Sequence, residues 1–191
     1  MSECQFLMVP VDGPVRVVGS HPHPHRVSDA LGGAIPAPVY FGTGRHAAWV
    51  REDCQSEGLE RNILATIMGL ILGGVPVPIL GPAAITQIAG EASGGYVVGV
   101  AEGFDDGQCQ AFLRIGMDCR WAIDGHDDGF SYDTMDAEWA ANVRKAAEWC
   151  HDLDIPQNYP YCMAAAPDDD VATILRRLGL GQQFAPVPIR A

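Results

Sequence analysis

Four polar residues stand beside the longest apolar run of the chain, residues 59–80. Glu52 and Asp53 precede the run, and Arg61 and Asn62 lie at its start, where a helix is predicted. Because the first N–H groups of a helix favour a bound anion, Arg61 and Asn62 are typical of a ligand- or partner-binding edge. The alternative is helix capping with a surface ion pair, which is the more common role of such residues. Glu52, Asp53, Arg61 and Asn62 are the candidate binding residues, and capping with an ion pair is the favoured explanation for them.

Three histidines alternate with prolines in the segment HPHPH and suggest a metal site. His21, His23 and His25 would present imidazoles, which are common transition-metal ligands, on a stiff support. A polyproline II segment has three residues per turn, so residues two apart point about 120° away from each other. Three such ligands would be awkward to place on one ion. An exposed loop held by prolines is favoured, and the three histidines are secondary candidates for a metal.

Two other motifs lack the geometry that their chemistry needs. Residues 124–129, DGHDDG, resemble half of a calcium loop, but His126 replaces an oxygen ligand and Met135 stands where such loops carry a bidentate Glu. Cys150 and His151 are consecutive residues of a predicted helix and point about 100° apart, so they do not form a nucleophile–base pair. No nucleophile elbow, zinc-peptidase signature or phosphate loop occurs in the sequence. We predict no catalytic residue, no cofactor and no metal, which favours a protein without enzymatic activity.

Charge and hydropathy limit the kinds of partner. The 191 residues include 24 acidic and 12 basic ones, for a formal charge of −12, which repels nucleic-acid backbones. The N-terminus lacks a signal-peptide pattern, and glycines and prolines interrupt the apolar run, so no membrane segment is expected. Six scattered cysteines without a C-x-x-C pair are typical of reduced, partly buried thiols. A cytoplasmic protein without direct nucleic-acid binding is predicted.

Two strand pairs and a helix are predicted to position the four binding residues. Residues 5–9 and 15–18 are typical of strands around an Asp-Gly turn, and residues 38–41 and 46–50 of a second hairpin. Apolar residues at i, i+4, i+7 and i+8 spacing predict a helix that starts near Glu60 or Asn62 and stops at a Gly-Gly pair. The other expectations for this half are an extended connection at residues 21–25, a short helix at 26–31, a strand at 75–80 and a hairpin of residues 83–88 with 96–100.

The second half of the chain gives fewer signals. Residues 111–115 fit a strand or a short helix, and the acidic residues 118–133 are expected to be irregular. The clearest helix runs over residues 134–151, with acidic residues in its first turn and one apolar face. Another helix is expected to begin at residue 168 and to stop at Gly179.

These elements predict an α+β fold. A small mixed or antiparallel sheet would carry the helix of residues 59–73, followed by a more helical C-terminal part. A shift in composition near residue 103 separates a small α+β domain, residues 1–103, from a helical extension, residues 104–191. The extension either forms a second lobe or continues the same core.

Several pieces of the first half occur in an order that resembles a known family. After the strand pair of residues 6–18 come V-S-D-A-L-G-G, A-W-V-R-E-D and L-E-R-N-I-L-A-T, and then G-P-A-A-I-T. This order resembles a small domain of unknown function carried by bacteriophages and mobile elements, especially in actinobacteria. The resemblance covers about residues 5–100, with a Glu-Arg step where Leu-Pro is common and with unusual prolines at positions 76 and 78. It implies a context in the host cytoplasm and no particular reaction.

The predicted function is that of a non-enzymatic phage or mobile-element accessory protein, which binds and modulates a host protein in the cytoplasm. The family resemblance, the acidity and the missing catalytic motifs all favour it. The alternative is a protein that sequesters a nucleotide signal, which requires a concave pocket lined by arginine and aromatic side chains. A metal-dependent enzyme that uses the histidines is the third hypothesis. The oligomeric state is left open.

Overall fold

The computed structural model describes residues 5–41, 45–73, 77–89, 92–93, 96–97, 100–125 and 137–161. These residues form an antiparallel sheet of six strands with packed helices, which confirms the predicted α+β class. In chain order the elements are β1 (Phe6–Val9), β2 (Arg16–Val18), α1 (Pro24–Ala30), β3 (Pro36–Tyr40), β4 (His46–Arg51), α2 (Ile63–Gly73), β5 (Ala83–Ala89), β6 (Ala92–Ser93), β7 (Tyr96–Val97), β8 (Val100–Glu102), α3 (Asp106–Ile123) and α4 (Ala137–His151).

The sheet is organised around β5. Its strand order is β2-β1-β5-β4-β3, and β8 pairs with β5 next to β1. Leu7 of β1 pairs with Ile85, and Ala101 of β8 pairs with Ile88 further along the same strand. The β1–β2 and β3–β4 pairs are antiparallel neighbours in sequence, so both predicted N-terminal hairpins are confirmed.

Both faces of the sheet are covered by helices. Successive side chains of a strand alternate between faces, so Leu7 packs with α2, α3 and α4, whereas Phe6 and Met8 pack against α1. On the α1 side the helix contributes Val27 and the following Leu31, both of which are buried. Burial on two faces explains why the strands are almost uniformly apolar.

Helix α2 lies in the interior of the molecule. Every residue from 64 to 70 is buried, and the helix packs on β4, α3 and α4. Gly69 lets it approach the sheet closely, because a Cβ there would lie 2.7 Å from the ring of Phe41. The helix begins at Ile63, directly after Asn62, which was one of the two predicted starts, and not at residue 59.

Helix α3 differs from the expectation of a short element followed by irregular chain. It extends over 18 residues and begins with a capping box at Asp105, whose side chain accepts from the Gln108 N–H at 2.8 Å. Its buried face is built largely from the small side chains of Cys109, Gly116 and Ala122. Small residues give a weak apolar periodicity, which is why the sequence pattern did not reveal this helix.

Two other predictions in the first half are wrong. Residues 77–79 form no strand, and Leu80 makes only an isolated bridge to Arg61, because prolines cannot donate to a ladder. Strand β7 pairs with β6 and not with β5. The strand that pairs with the end of β5 in place of β7 is β8. In addition, α1 begins within HPHPH, since Pro24 occupies a first-turn position where its missing N–H has no cost.

The core joins residues from both sides of position 103. Phe104, Cys109 and Val143 belong to the same buried cluster as Leu7 and Leu64. Helix α4 is confirmed from residue 137 onward. The predicted helix after residue 168, the calcium-like loop beyond residue 125 and Cys162 lie outside the described residues. Among the helices that are described, none is long and apolar enough to cross a bilayer.

Candidate functional site

Asn62 is a buried connection between α2 and the sheet. Its side-chain Nδ2 donates to the carbonyl oxygens of Val9 and Gly81, at 2.9 Å each. Its Oδ1 accepts from the Ala65 N–H at 3.0 Å and so caps the helix. The residue is 0% exposed, and both amide hydrogens are used. Asn62 therefore holds the fold together and offers no free group to a ligand.

Thr66 extends this arrangement by one helical turn. Its hydroxyl donates to the Asn62 carbonyl at 2.9 Å and accepts from the Ile79 N–H at 3.0 Å. The Asn62 N–H in turn donates to the Ile79 carbonyl at 2.7 Å. We call Asn62, Thr66 and their partners Val9, Ile79 and Gly81 the Asn62 junction. Sequence reasoning missed Thr66, although a polar residue four positions after Asn62 in an apolar helix is a usable signal.

Arg61 makes no described hydrogen bond to the Glu52, Asp53 or Asn62 side chains. Its backbone bridges to Leu80, and its Nη1 is buried without a hydrogen-bond partner. Burial raises the pKa of the Cys150 thiol to about 12, and the positive charge of Arg61 opposes that shift. Arg61 is therefore close enough to the end of α4 to be felt by Cys150, where a cation also complements the helix dipole.

Asp53 is already paired within its own turn. Arg51 Nε donates to Asp53 Oδ1 at 2.9 Å, and Arg51 Nη2 donates to Oδ2 at 2.8 Å. This two-point pairing holds the pKa of the Asp53 carboxyl below its usual range and raises the pKa of Arg51. The predicted surface ion pair is thus present, but between residues of one turn.

Glu52, the neighbouring residue, has a different environment. Its backbone N–H donates to the Ile35 carbonyl at 2.9 Å, and its Oε1 accepts from the Tyr161 hydroxyl at 2.6 Å. That hydrogen bond raises the pKa of Tyr161. Ile35 is 66% exposed and Tyr161 is 57% exposed, although both are large and apolar. We call Ile35, Glu52 and Tyr161 the Glu52 patch.

Sequence reasoning identified only one member of the Glu52 patch. Ile35 belongs to the connection between α1 and β3, and Tyr161 follows α4, 109 residues after Glu52. No local pattern links the three positions. The available hints are an isolated apolar residue next to a proline at Ile35 and a Tyr-Pro-Tyr segment at residues 159–161.

The sheet edge next to this patch is a poor template for strand addition. The Phe41 N–H donates to the His46 carbonyl, and the Ile35 carbonyl accepts from Glu52, so odd-numbered residues of this segment direct their hydrogen-bonding groups toward β4. The alternate residues Pro36 and Pro38 therefore face the open edge, and they carry no N–H. The carbonyl groups of an incoming strand would find no N–H donor at these two positions.

The three candidate metal ligands lie at the start of α1. His21, His23 and His25 are all exposed, and the rings of His23 and His25 stack with centroids 5.3 Å apart. His23 is the N-cap of the helix. Within the described part of the chain, no group of three histidine, cysteine or acidic side chains is arranged to hold a metal ion.

The described thiols are poor nucleophiles. Cys54, Cys109, Cys119 and Cys150 are free and buried. Burial raises the pKa of all four, to about 11 for Cys109 and about 12 for Cys150. A thiol with such a pKa carries almost no thiolate at neutral pH, so these cysteines serve as small core residues.

His46 is a buried imidazole without a polar partner at Nδ1. It is 7% exposed and stacks on Phe104, with ring centroids 6.1 Å apart. Burial, with a contribution from Arg45, lowers its pKa to about 4. The side chain is therefore neutral at physiological pH, and sequence reasoning gave it no role.

One open groove is described on the surface of α3. It has a volume of about 360 Å³ and is lined by the helix face of Leu113, Arg114 and Asp118, together with Gln110 and Met117. Burial raises the pKa of Asp118. None of these lining residues is aromatic, so the described wall offers no stacking surface for a base.

No protein-family model matches the chain, and neither does any curated protein or solved structure. The resemblance of residues 5–100 to a phage-borne domain therefore stays a prediction. The Glu52 patch and its surroundings are the structural basis for a proposal about function.

Proposed function

We propose that this protein is a non-enzymatic accessory protein of a phage or mobile element, which binds and modulates a host protein in the cytoplasm. The observation that carries the proposal is the Glu52 patch. It exposes two large side chains, Ile35 at 66% and Tyr161 at 57%; Ile35 is joined to Glu52 through the backbone, and the Tyr161 hydroxyl donates to the Glu52 carboxylate. Exposed aromatic and aliphatic residues with a polar neighbour are typical of the anchors of protein interfaces.

The charge of the molecule indicates the kind of partner. With a formal charge of −12, the protein is attracted to basic surfaces and repelled by nucleic acid. It is also repelled by a second copy of itself, which disfavours self-association through an acidic patch. A basic surface of a host protein is the complementary partner.

A competition between three immobilised forms of the protein tests the proposal. The first is the wild type, the second carries Ile35→Ser and Tyr161→Ser, and the third carries Val100→Ser. Val100 is a matched control, because it is 65% exposed and pairs with Ala89. That residue ends β5 about 20 Å from the Glu52 end of the sheet, at about 3.4 Å per residue.

Each form is incubated with an actinobacterial lysate, and retained proteins are quantified by mass spectrometry. The proposal expects a basic host protein that the wild type and the Val100→Ser control retain and the double variant loses. Equal retention by all three forms, or no specific retention at all, would contradict it. Thermal unfolding of the three forms shows that each is folded.

Sequestration of a nucleotide signal is the second candidate function, and the α3 groove with Arg114 is the observation that favours it. Nucleotide-dependent thermal shifts test this alternative directly. A shift that the substitution Leu113→Glu abolishes would support it, and a nucleotide panel without any shift would remove it.

A further inference from the structure

Two adjacent carboxylates of the same turn differ in how far they are neutralised. Asp53 is paired at two points with Arg51. Glu52 is exposed, and its described side-chain contact is the hydroxyl of Tyr161, a neutral group. An ionised carboxylate has about four acceptor positions, so Glu52 keeps room for a cation. Of these two carboxylates, Glu52 is therefore the one with acceptor positions left for a cation.

The groups around Glu52 suit one kind of cation. Ile35 offers an exposed aliphatic surface, and Tyr161 offers an exposed ring whose hydroxyl is fixed on the carboxylate. A long basic side chain buries its methylene stem along apolar surface while its charged end reaches a carboxylate. An arginine also stacks its planar guanidinium on an aromatic ring, which an ammonium group does less well.

We propose that the Glu52 patch is a receptor for an arginine side chain presented on the surface of the partner protein. The guanidinium binds the Glu52 carboxylate, its plane lies against the Tyr161 ring, and its stem lies along Ile35. This inference rests on the proposed function, because it names the chemistry of the partner. Strand addition is disfavoured as the docking mode, since Pro36 and Pro38 remove two donors from the neighbouring edge.

The backbone fixes the position of the receptor. The Glu52 N–H is held on the Ile35 carbonyl at 2.9 Å, as a continuation of the β3–β4 ladder. The backbone that carries the Ile35 and Glu52 side chains is therefore ordered before binding. Such preorganisation reduces the entropy lost on association.

A titration with a defined probe tests the inference independently of any host protein. The probe is an acetylated, amidated tripeptide with arginine between two leucines, and its control has neutral citrulline in place of arginine. Binding is followed by the NMR shifts of the Ile35 methyl groups and the Tyr161 ring protons. We expect saturable shifts of both residues with the arginine peptide.

A matched pair of charge variants separates local recognition from general acidity. Glu57 is an exposed carboxylate of the same turn, so Glu52→Gln and Glu57→Gln change the net charge equally. The loss of an exposed ion pair at Glu52 should weaken arginine binding up to about fivefold, while Glu57→Gln should leave it nearly unchanged. The citrulline peptide should bind the wild type about as weakly as the arginine peptide binds Glu52→Gln.

Three results would overturn the inference. Equal losses in Glu52→Gln and Glu57→Gln would reduce the effect to general electrostatics. Equal binding of the arginine and citrulline peptides would remove the role of the cation, and shifts that spare Ile35 and Tyr161 would place the site elsewhere. If a host protein is retained through Ile35 and Tyr161 but Glu52→Gln retains it equally, this inference fails while the proposed function stands. If no host protein is retained, the proposed function fails and the peptide titration still decides the chemistry of the patch.

Discussion

The Asn62 junction and the Glu52 patch show how burial separates two polar sites that look alike in sequence. Each site contains a polar residue that lies close to the same apolar run in the sequence. Asn62 is 0% exposed, and its amide is saturated by Val9, Ala65 and Gly81. Glu52 is exposed, and its two hydrogen-bond partners, the Ile35 backbone carbonyl and the Tyr161 hydroxyl, belong to residues that are themselves mostly exposed. The first site holds elements together, and the second faces outward.

The difference begins with the direction of the backbone. The chain at Arg61 is extended and bridges to Leu80, and successive side chains of extended backbone point to opposite sides. Asn62 consequently turns toward β1, while Arg61 turns the other way and influences Cys150. One residue step therefore decides whether a polar group ends in the junction or outside it.

Breaking the junction should have the largest effect. Asn62→Ala removes the two hydrogen bonds donated to the buried carbonyls of Val9 and Gly81 and removes the cap on Ala65. A lost buried hydrogen bond costs about 1.5 kcal/mol and a lost cap about 1, so we expect the free energy of unfolding to fall by about 4 kcal/mol. Urea unfolding followed by circular dichroism measures this change.

Asn62→Asp is the informative control for that substitution. Aspartate keeps an acceptor for the Ala65 N–H but cannot donate to the two carbonyls, and its charge would be buried. It should be at least as destabilising as alanine. A fall of less than about 1 kcal/mol for either variant would mean that the junction does not hold α2 on the sheet.

His46 extends the comparison to a buried polar group without a partner at Nδ1. Its pKa is about 4 in the folded protein against an ordinary value of 6.5, so the native state favours the neutral form. The contribution of His46 to the free energy of unfolding is therefore largest above pH 6.5 and is lost as the pH falls toward 4. The loss is about 3 kcal/mol, at about 1.4 kcal/mol per pH unit.

His46→Phe removes this titration while it keeps a ring against Phe104. The difference in unfolding free energy between variant and wild type, measured from pH 7 to pH 4, isolates His46 from the carboxylates that titrate in the same range. The wild type should lose more stability than the variant as the pH falls. Parallel curves would show that His46 is not desolvated in the folded protein.

Thr66 allows a smaller test within the junction. Thr66→Val keeps the shape of the side chain but leaves the buried Ile79 N–H without an acceptor, at a cost of about 2 kcal/mol in the free energy of unfolding. Thr66→Ser keeps the hydroxyl and loses only a methyl group, for which about 1 kcal/mol is expected. Valine that is less destabilising than serine in urea unfolding would show that packing, rather than hydrogen bonding, matters at this position.

The sequence predicted what depends on local periodicity. The two N-terminal hairpins and the start of α2 beside Asn62 follow from turn residues and apolar spacing, and the structure confirms them. Helix α3 escaped because Cys109, Gly116 and Cys119 carry small side chains on its buried face. The glycines and prolines of residues 73–78 marked the end of α2 correctly, but the strand expected after them does not form in residues 77–79.

The candidate site could be predicted only in part, for a related reason. Glu52 was identified because it stands near the apolar run in the sequence. Tyr161 lies 109 residues after Glu52, and Ile35 precedes β3, at the opposite end of the β3–β4 hairpin sequence from Glu52. Their proximity arises from the register of β3 on β4 and from the path of the chain after α4. Asn62 was identified as a polar residue at a helix start, with capping as the favoured explanation, and its hydrogen bond from the Ala65 N–H confirms the cap.

The smallest effects on stability are expected in the Glu52 patch, and they sharpen the comparison. Ile35→Ser and Glu52→Gln should change the free energy of unfolding by less than about 0.5 kcal/mol, because exposed side chains contribute little to the folded state. Val100→Ser, at nearly the same exposure as Ile35, gives the reference for an apolar side chain open to solvent. If urea unfolding shows that Ile35→Ser costs more than about 1 kcal/mol beyond that reference, Ile35 packs within the folded chain. The patch would then belong with the junction as a structural feature, since a side chain already buried in its own fold has no surface left to offer a partner.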